Sequence, residues 1–141
     1  MNIIDLRRKA ESGSVVAAST LGICYLEGID VEVNYAEALR LLSAAARKGA
    51  PRAIASMARM YAEGLGVPKD PQEAIRLYET AARAGEFLAQ IELARIYSRR
   101  QDVDADFGAA RRWYSEAVAQ ESSVGDCEEL REAKAYLKRT P

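Results

Sequence analysis

The chain has 141 residues, 49% apolar and 29% charged, which is long enough to bury a core and too apolar for a disordered polymer. A formal net charge of -1 excludes a strongly basic protein, so bulk attraction to nucleic acid or to an anionic membrane is not expected. The absence of any histidine removes the usual general base and metal ligand, and no catalytic residue, metal or cofactor is assigned.

The opening residues, Met-Asn-Ile-Ile-Asp-Leu-Arg-Arg-Lys, turn charged by Asp5. No apolar run here reaches signal-peptide length, and none elsewhere reaches membrane-spanning length, so a cytoplasmic protein without membrane contact is expected. Residues 3–12 read as a helix ending at Gly13. Leu6, Ala10 and Gly13 stand 36 residues before Leu42, Ala46 and Gly49, so the chain opens on a half repeat.

The same period governs the rest of the chain. Residues 17–52 set against 53–88 without a gap give 13 identities, where chance gives about two or three for average composition. A second step reaches Ala89, Ala94, Tyr97, Asp106, Ala110, Tyr114 and Ala117. Each copy reads as two helices: 15–27 with 35–48, 51–63 with 71–84, and 88–99 with 107–120. Asn34, Asp70 and Asp106 are N-caps. Glu37 and Glu73 stand three residues on, where a capping box would close, and Pro71 takes the first helical position. Gly49 and Gly85 supply the left-handed residue that ends a helix, whereas Glu121 at the third equivalent predicts a looser end. A last helix, 127–138, is capped by Asp126 and is charged on its outer positions, as a terminal unit needs. Nothing reads as strand.

The small residues Gly22, Ala58 and Ala94, with Ala38, Ala74 and Ala110, are placed to let helix axes approach closely. Leu21, Met57 and Leu93 lie one turn before Tyr25, Tyr61 and Tyr97 and should form a repeating core with them. The two cysteines, Cys24 and Cys127, are expected to be reduced thiols, because so sparse a pair is no disulfide framework.

In the second copy these residues compose A-x-x-x-M-A-x-x-Y-x-x-G-x-G-V, then D-x-x-x-A, then L-Y before A-A and G. The chain resembles Sel-1-like repeat proteins, relatives of the tetratricopeptide repeats, over roughly residues 15 to 121. The first copy departs at Asp30, which replaces the second turn glycine. The third departs at Arg100 and Asp102, while Trp113 and Tyr114 keep its aromatic pair. The resemblance implies an all-α, right-handed superhelix (solenoid) of about three 36-residue helical hairpins with a half repeat at each end. It divides a single domain into 1–13, 14–50, 51–86, 87–122 and a capping helix at 123–141. It implies a non-enzymatic protein-interaction module, an adaptor or a dedicated inhibitor such as an immunity protein that neutralises a bacterial toxin. It carries no catalytic set.

Other chemistry is weak beside this. The turn Gly64–Asp70 lacks the third glycine of a dinucleotide fingerprint and the ending of a phosphate loop. Asp102, Asp104 and Asp106 alternate like calcium ligands, but Phe107 and Trp113 stand where that loop needs glycine and glutamate. An enzyme with an unrecognised carboxylate site is the remaining alternative.

The family geometry puts the first helix of each repeat on a concave face. Counting from the tyrosines places Val16, Ile23, Arg52, Arg59, Leu88 and Arg95 there; the neighbouring positions Ser19, Leu26, Glu27, Ala55, Glu63, Ile91 and Arg99 adjoin them, and Arg131 and Lys134 of the last helix extend the row. Six of these side chains are positive and two negative, so a protein partner with an acidic surface is expected.

Overall fold

In a computed structural model, which describes residues 2–99 and 105–139, every regular element is helical. They are α1 (Ile3–Glu11), α2 (Val15–Glu27), α3 (Tyr35–Arg47), α4 (Pro51–Glu63), α5 (Pro71–Arg83), α6 (Phe87–Ser98), α7 (Phe107–Val118), α8 (Glu121–Val124) and α9 (Glu128–Arg139). The chain divides into two compact units, Met1–Thr80 and Ala81–Pro141, with the division inside α5. Arg100, Asp102 and Asp104 lie outside the described residues.

Local chemistry sets the helix ends. Asn34, Asp70 and Asp106 each accept a hydrogen bond from the backbone N–H three residues on, at 3.1, 3.1 and 2.9 Å. The backbone N–H of the same three residues donates to the carbonyls of Tyr25, Tyr61 and Tyr97 at 2.9, 2.9 and 2.8 Å. One residue thus starts the second helix of a hairpin and ties it to the last turn of the first. This clamp consumes the donor that a capping box requires, so the expected boxes close only half way. Glu37 and Glu73 instead grip Arg40 and Arg76, one turn further along the helix surface.

The turns need positive φ. Gly28 (φ 72°) and Gly64 (φ 70°) end α2 and α4 in the left-handed conformation, donating to the Cys24 and Met60 carbonyls. Two residues on, Gly66 has φ 72° and its counterpart Asp30 has φ 59°, so the substitution changes the residue and leaves the turn conformation intact. A β-carbon on Gly66 would lie 2.5 Å from that of Tyr35.

In the first unit the core gathers Leu6, Leu21, Leu41, Leu42 and Met60 from α1 to α4. Ala38, Ala58 and Ala74 are fully enclosed, and a β-carbon on buried Gly22 would fall 2.8 Å from Leu42 Cγ, so the small residues do permit close approach. In the second unit Ile91, Ala94, Tyr114, Ala117 and Ala133 form a core from α6, α7 and α9. One expectation needs correcting. Tyr25, Tyr61 and Tyr97 are only half-buried; the enclosed tyrosines are Tyr78 and Tyr114, on second helices.

The third hairpin ends without a glycine at position 121. Glu121 begins the short α8, Gly125 takes the positive φ (77°), and Gln120 fastens the end by donating to the Gly85 carbonyl and the Gln90 side chain. Asp126 is not the cap of the last helix: it stands two residues ahead of Glu128, and its carboxylate accepts from Arg131 at 3.1 Å.

Candidate functional site: the faces of the first helices

Within the first unit the expected row falls on α2 and α4. Val16 is the most exposed large apolar side chain described, at 77%, and Arg52, one period on, is exposed too. Ile23 is half-buried against the core. Leu26 is not available: at 5% exposure it belongs to the core, because α2 carries buried residues on several sides and a position beside Tyr25 turns inward. Ser19 is likewise buried.

The charges of this face are joined to each other. Arg59 on α4 bonds to Glu63 on its own helix at 3.1 Å and to Glu27 on α2, a ladder that links the two first helices. Burial alone would lower the arginine pKa; the bonds to Glu27 and Glu63 outweigh it and raise it.

Within the second unit Leu88 is 51% exposed and Arg99 is exposed, whereas Ile91 is buried. Arg95, its side chain 26% exposed, binds Glu132 of α9 at 2.9 Å and Glu92 of its own helix at 2.5 Å. Burial of Arg95 works against the charge, but the Glu132 hydrogen bond and the two carboxylates push its pKa up. Tyr114 donates to the same Glu132 at 3.0 Å and packs its ring 4.7 Å from that of Tyr136. Burial first, then the Glu132 charge, raises the Tyr114 pKa well above the usual tyrosine value. Arg131 pairs with Asp126, and Lys134 with Glu121.

The expected excess of positive charge is therefore largely cancelled. Four of its six basic side chains, Arg59, Arg95, Arg131 and Lys134, are held by carboxylates of the same unit. Glu92 could have been found by its helical spacing from Arg95. Glu132, 37 residues away, could not, because only the packing of α9 brings it there. One register position per hairpin is exposed throughout, Val16, Arg52 and Leu88; Arg99 is exposed as well, and so are the paired Glu27, Glu63 and Arg131. Among the described residues no group of three or more acids and cysteines is placed to hold a metal, and no helix is long and apolar enough to cross a membrane.

The family model described as Sel1 repeat matches residues 15–49, 51–86 and 88–122. A crystal structure of a Sel1 repeat protein from Oxalobacter formigenes is 40% identical, covers 97% of both chains and superposes with a TM-score of 0.76. A protective antigen present in uropathogenic Escherichia coli strains and displaying an SLR fold also reaches 0.76. It is 24% identical over 95% of this chain, which spans 32% of that longer protein, and it speaks for the fold alone. No curated protein matches the chain.

Proposed function

Since the chain belongs to the Sel1 repeat family, a helical-hairpin solenoid fold that generally serves protein interaction and is typically non-catalytic, we propose that it binds a partner protein through the exposed faces of its first helices. The observation that carries this reading is the recurrence of a large exposed side chain at one register position, Val16, Arg52 and Leu88, two of the three apolar. A scattered exposed aliphatic residue needs no explanation. One repeated at the same position of successive hairpins offers desolvated contact area where the family fold offers its binding helices.

Ile23 and the Glu27–Arg59–Glu63 ladder lie further along the helices of Val16 and Arg52, and Arg95 lies on the helix of Leu88. Paired arginines contribute shape and hydrogen-bonding edges more than net charge, so the partner we infer presents apolar side chains, with acidic groups only where they meet Arg52 and Arg99. The role is that of an adaptor or of an inhibitor that occludes a toxin, in a reducing, cytoplasmic setting that suits the free Cys24 and Cys127 thiols.

Affinity capture from the source cell, with the parent protein and with Val16→Asp and Leu88→Asp, tests the reading. A partner retained by the parent and lost from both variants supports it, and loss of that partner's own activity in the complex marks an inhibitor. Equal capture by all three proteins refutes the site.

A further inference from the structure

A recess lies in the first unit, on residues that the first-helix row does not use. Arg7, Ala10 and Glu11 of α1, Leu21 and Tyr25 of α2, and Glu37, Arg40 and Leu41 of α3 enclose a cleft of about 330 Å³, at the lower end of small-ligand pocket sizes. Ala10, Leu21 and Leu41 give it an apolar floor.

Its two arginines are in different states. Arg40 donates from Nε and from a terminal nitrogen to both oxygens of Glu37, at 2.8 and 2.9 Å, so its charge is met side-on. The hydrogen bond from Arg40, with its charge and that of Arg7, holds the Glu37 carboxyl below the usual range, so this pair stays ionised. Arg7 donates instead to the phenolic oxygen of Tyr25, at 2.7 Å. That acceptor is neutral and fixes the guanidinium over the cleft; the carboxylate that feels the Arg7 charge, Glu37, has both its oxygens on Arg40, and Glu11 is the second acid of the lining.

The second hairpin shows which part is peculiar to the first. One period on, Tyr61 and the Glu73–Arg76 pair recur, but Ser43 stands in place of Arg7 and Arg47 in place of Glu11. The tyrosine and the glutamate–arginine pair therefore belong to the repeat, and the oriented cation is an addition to this cleft.

We propose that the cleft binds an aliphatic carboxylate, its anionic end on Arg7 beside Tyr25 and its hydrocarbon body over Ala10, Leu21 and Leu41. A guanidinium with donors to spare suits a carboxylate, which it can meet with two parallel bonds. A free small acid and the acidic residue of a peptide share this chemistry. The site is independent of the first-helix row and stands or falls separately.

Amide nitrogen–proton NMR titrations of the full chain test it with three probes: 4-methylpentanoate, 4-methylpentanamide and N-acetyl-aspartyl-leucinamide. A ligand held by about 4 kcal/mol, one charged pair over a small apolar floor, has a Kd on the order of 1 mM. The expected result is that at least one carboxylate shifts the resonances of Arg7, Tyr25 and Leu41 while the amide does not; which carboxylate acts names the source. Arg7→Gln weakens that binding about tenfold, Arg7→Lys recovers part of it, and Arg76→Gln leaves it unchanged. Binding of the amide as tight as that of 4-methylpentanoate, undiminished binding by Arg7→Gln with an unchanged helical spectrum, or no shift from any probe at about 10 mM overturns the proposal.

Discussion

Replacing Gly66 by alanine should cost far more than exchanging Asp30 for glycine, although the two residues occupy equivalent turns. Gly66 has φ 72°, and its added β-carbon would sit 2.5 Å from the Tyr35 β-carbon and 3.4 Å from the ring. Carbon atoms prefer about 3.5–4.0 Å, so the turn and the start of α3 must part by about 1 Å. Overpacking of this kind costs about 1–3 kcal/mol. The left-handed backbone adds about 1–2 kcal/mol for a residue with a β-carbon. The loss of glycine's freedom in the unfolded chain returns about 0.4–1 kcal/mol. The balance is a destabilisation of roughly 2–4 kcal/mol. At Asp30 a side chain is already accommodated and aspartate tolerates this backbone better than most residues, so the relief of strain and the entropy of glycine nearly cancel. Asp30→Gly should stay within about 0.5 kcal/mol of the parent. Urea unfolding followed by far-ultraviolet circular dichroism measures both. Tyr35→Gly, which removes the opposing β-carbon, should recover the packing share of the Gly66→Ala loss in a double-mutant cycle. A Gly66→Ala protein as stable as the parent, or an Asp30→Gly protein as damaged as Gly66→Ala, would refute the argument.

Arg59→Ala removes both rungs of the Glu27–Arg59–Glu63 ladder, and because the side chains are 37–52% exposed the loss should be only about 0.5–1 kcal/mol and should shrink in 1 M salt. Glu132→Ala strips Arg95 and Tyr114 of their shared acceptor, so it should cost about 1.5–3 kcal/mol and speed hydrogen exchange in 128–139 more than elsewhere; uniform protection across the unit would contradict this. Because Tyr114 keeps its proton to higher pH folded than unfolded, its contribution is complete below the usual tyrosine value of about 10 and drains away as pH rises above it; thermal melts of Tyr114→Phe should lack that alkaline slope. Glu37 and Glu73 show the opposite linkage: hydrogen bonds from Arg40 and Arg76 lower both pKa values, so their share is present above about 4.3 and lost as pH falls through their lower folded values, a loss that Glu37→Gln with Glu73→Gln should abolish. Gln90→Ile, which installs the residue of the second hairpin, leaves Gln120 with only the Gly85 carbonyl of its two acceptors and the Ala82 carbonyl without its 3.1 Å donor, and should cost about 1–2 kcal/mol in urea unfolding.

Much of this protein is decided within a few residues of each point along the chain, and the sequence by itself determined that part. Asn34, Asp70 and Asp106 start helices because their side chains reach a backbone donor three residues on; Gly28 and Gly64 end them because the left-handed turn is open to glycine. These are short-range events, and the helix bounds follow to within two residues. The period of 36 likewise fixed which small residues would be enclosed, since Gly22, Ala58 and Ala94 repeat at one station. Only the tertiary structure could decide what happens where distant parts of the chain meet. Leu26 is core and not surface because neighbouring helices cover it. Arg95 is neutralised by a glutamate 37 residues away. Glu37 turns from its cap to Arg40 because the cap's own N–H is already committed to Tyr25. One turn holds a left-handed Asp30, whereas in the next the β-carbon of Tyr35, from a distant part of the chain, leaves no room for a side chain on Gly66. Charge and exposure are properties of the space around a side chain, and that space is furnished by residues no local pattern brings together.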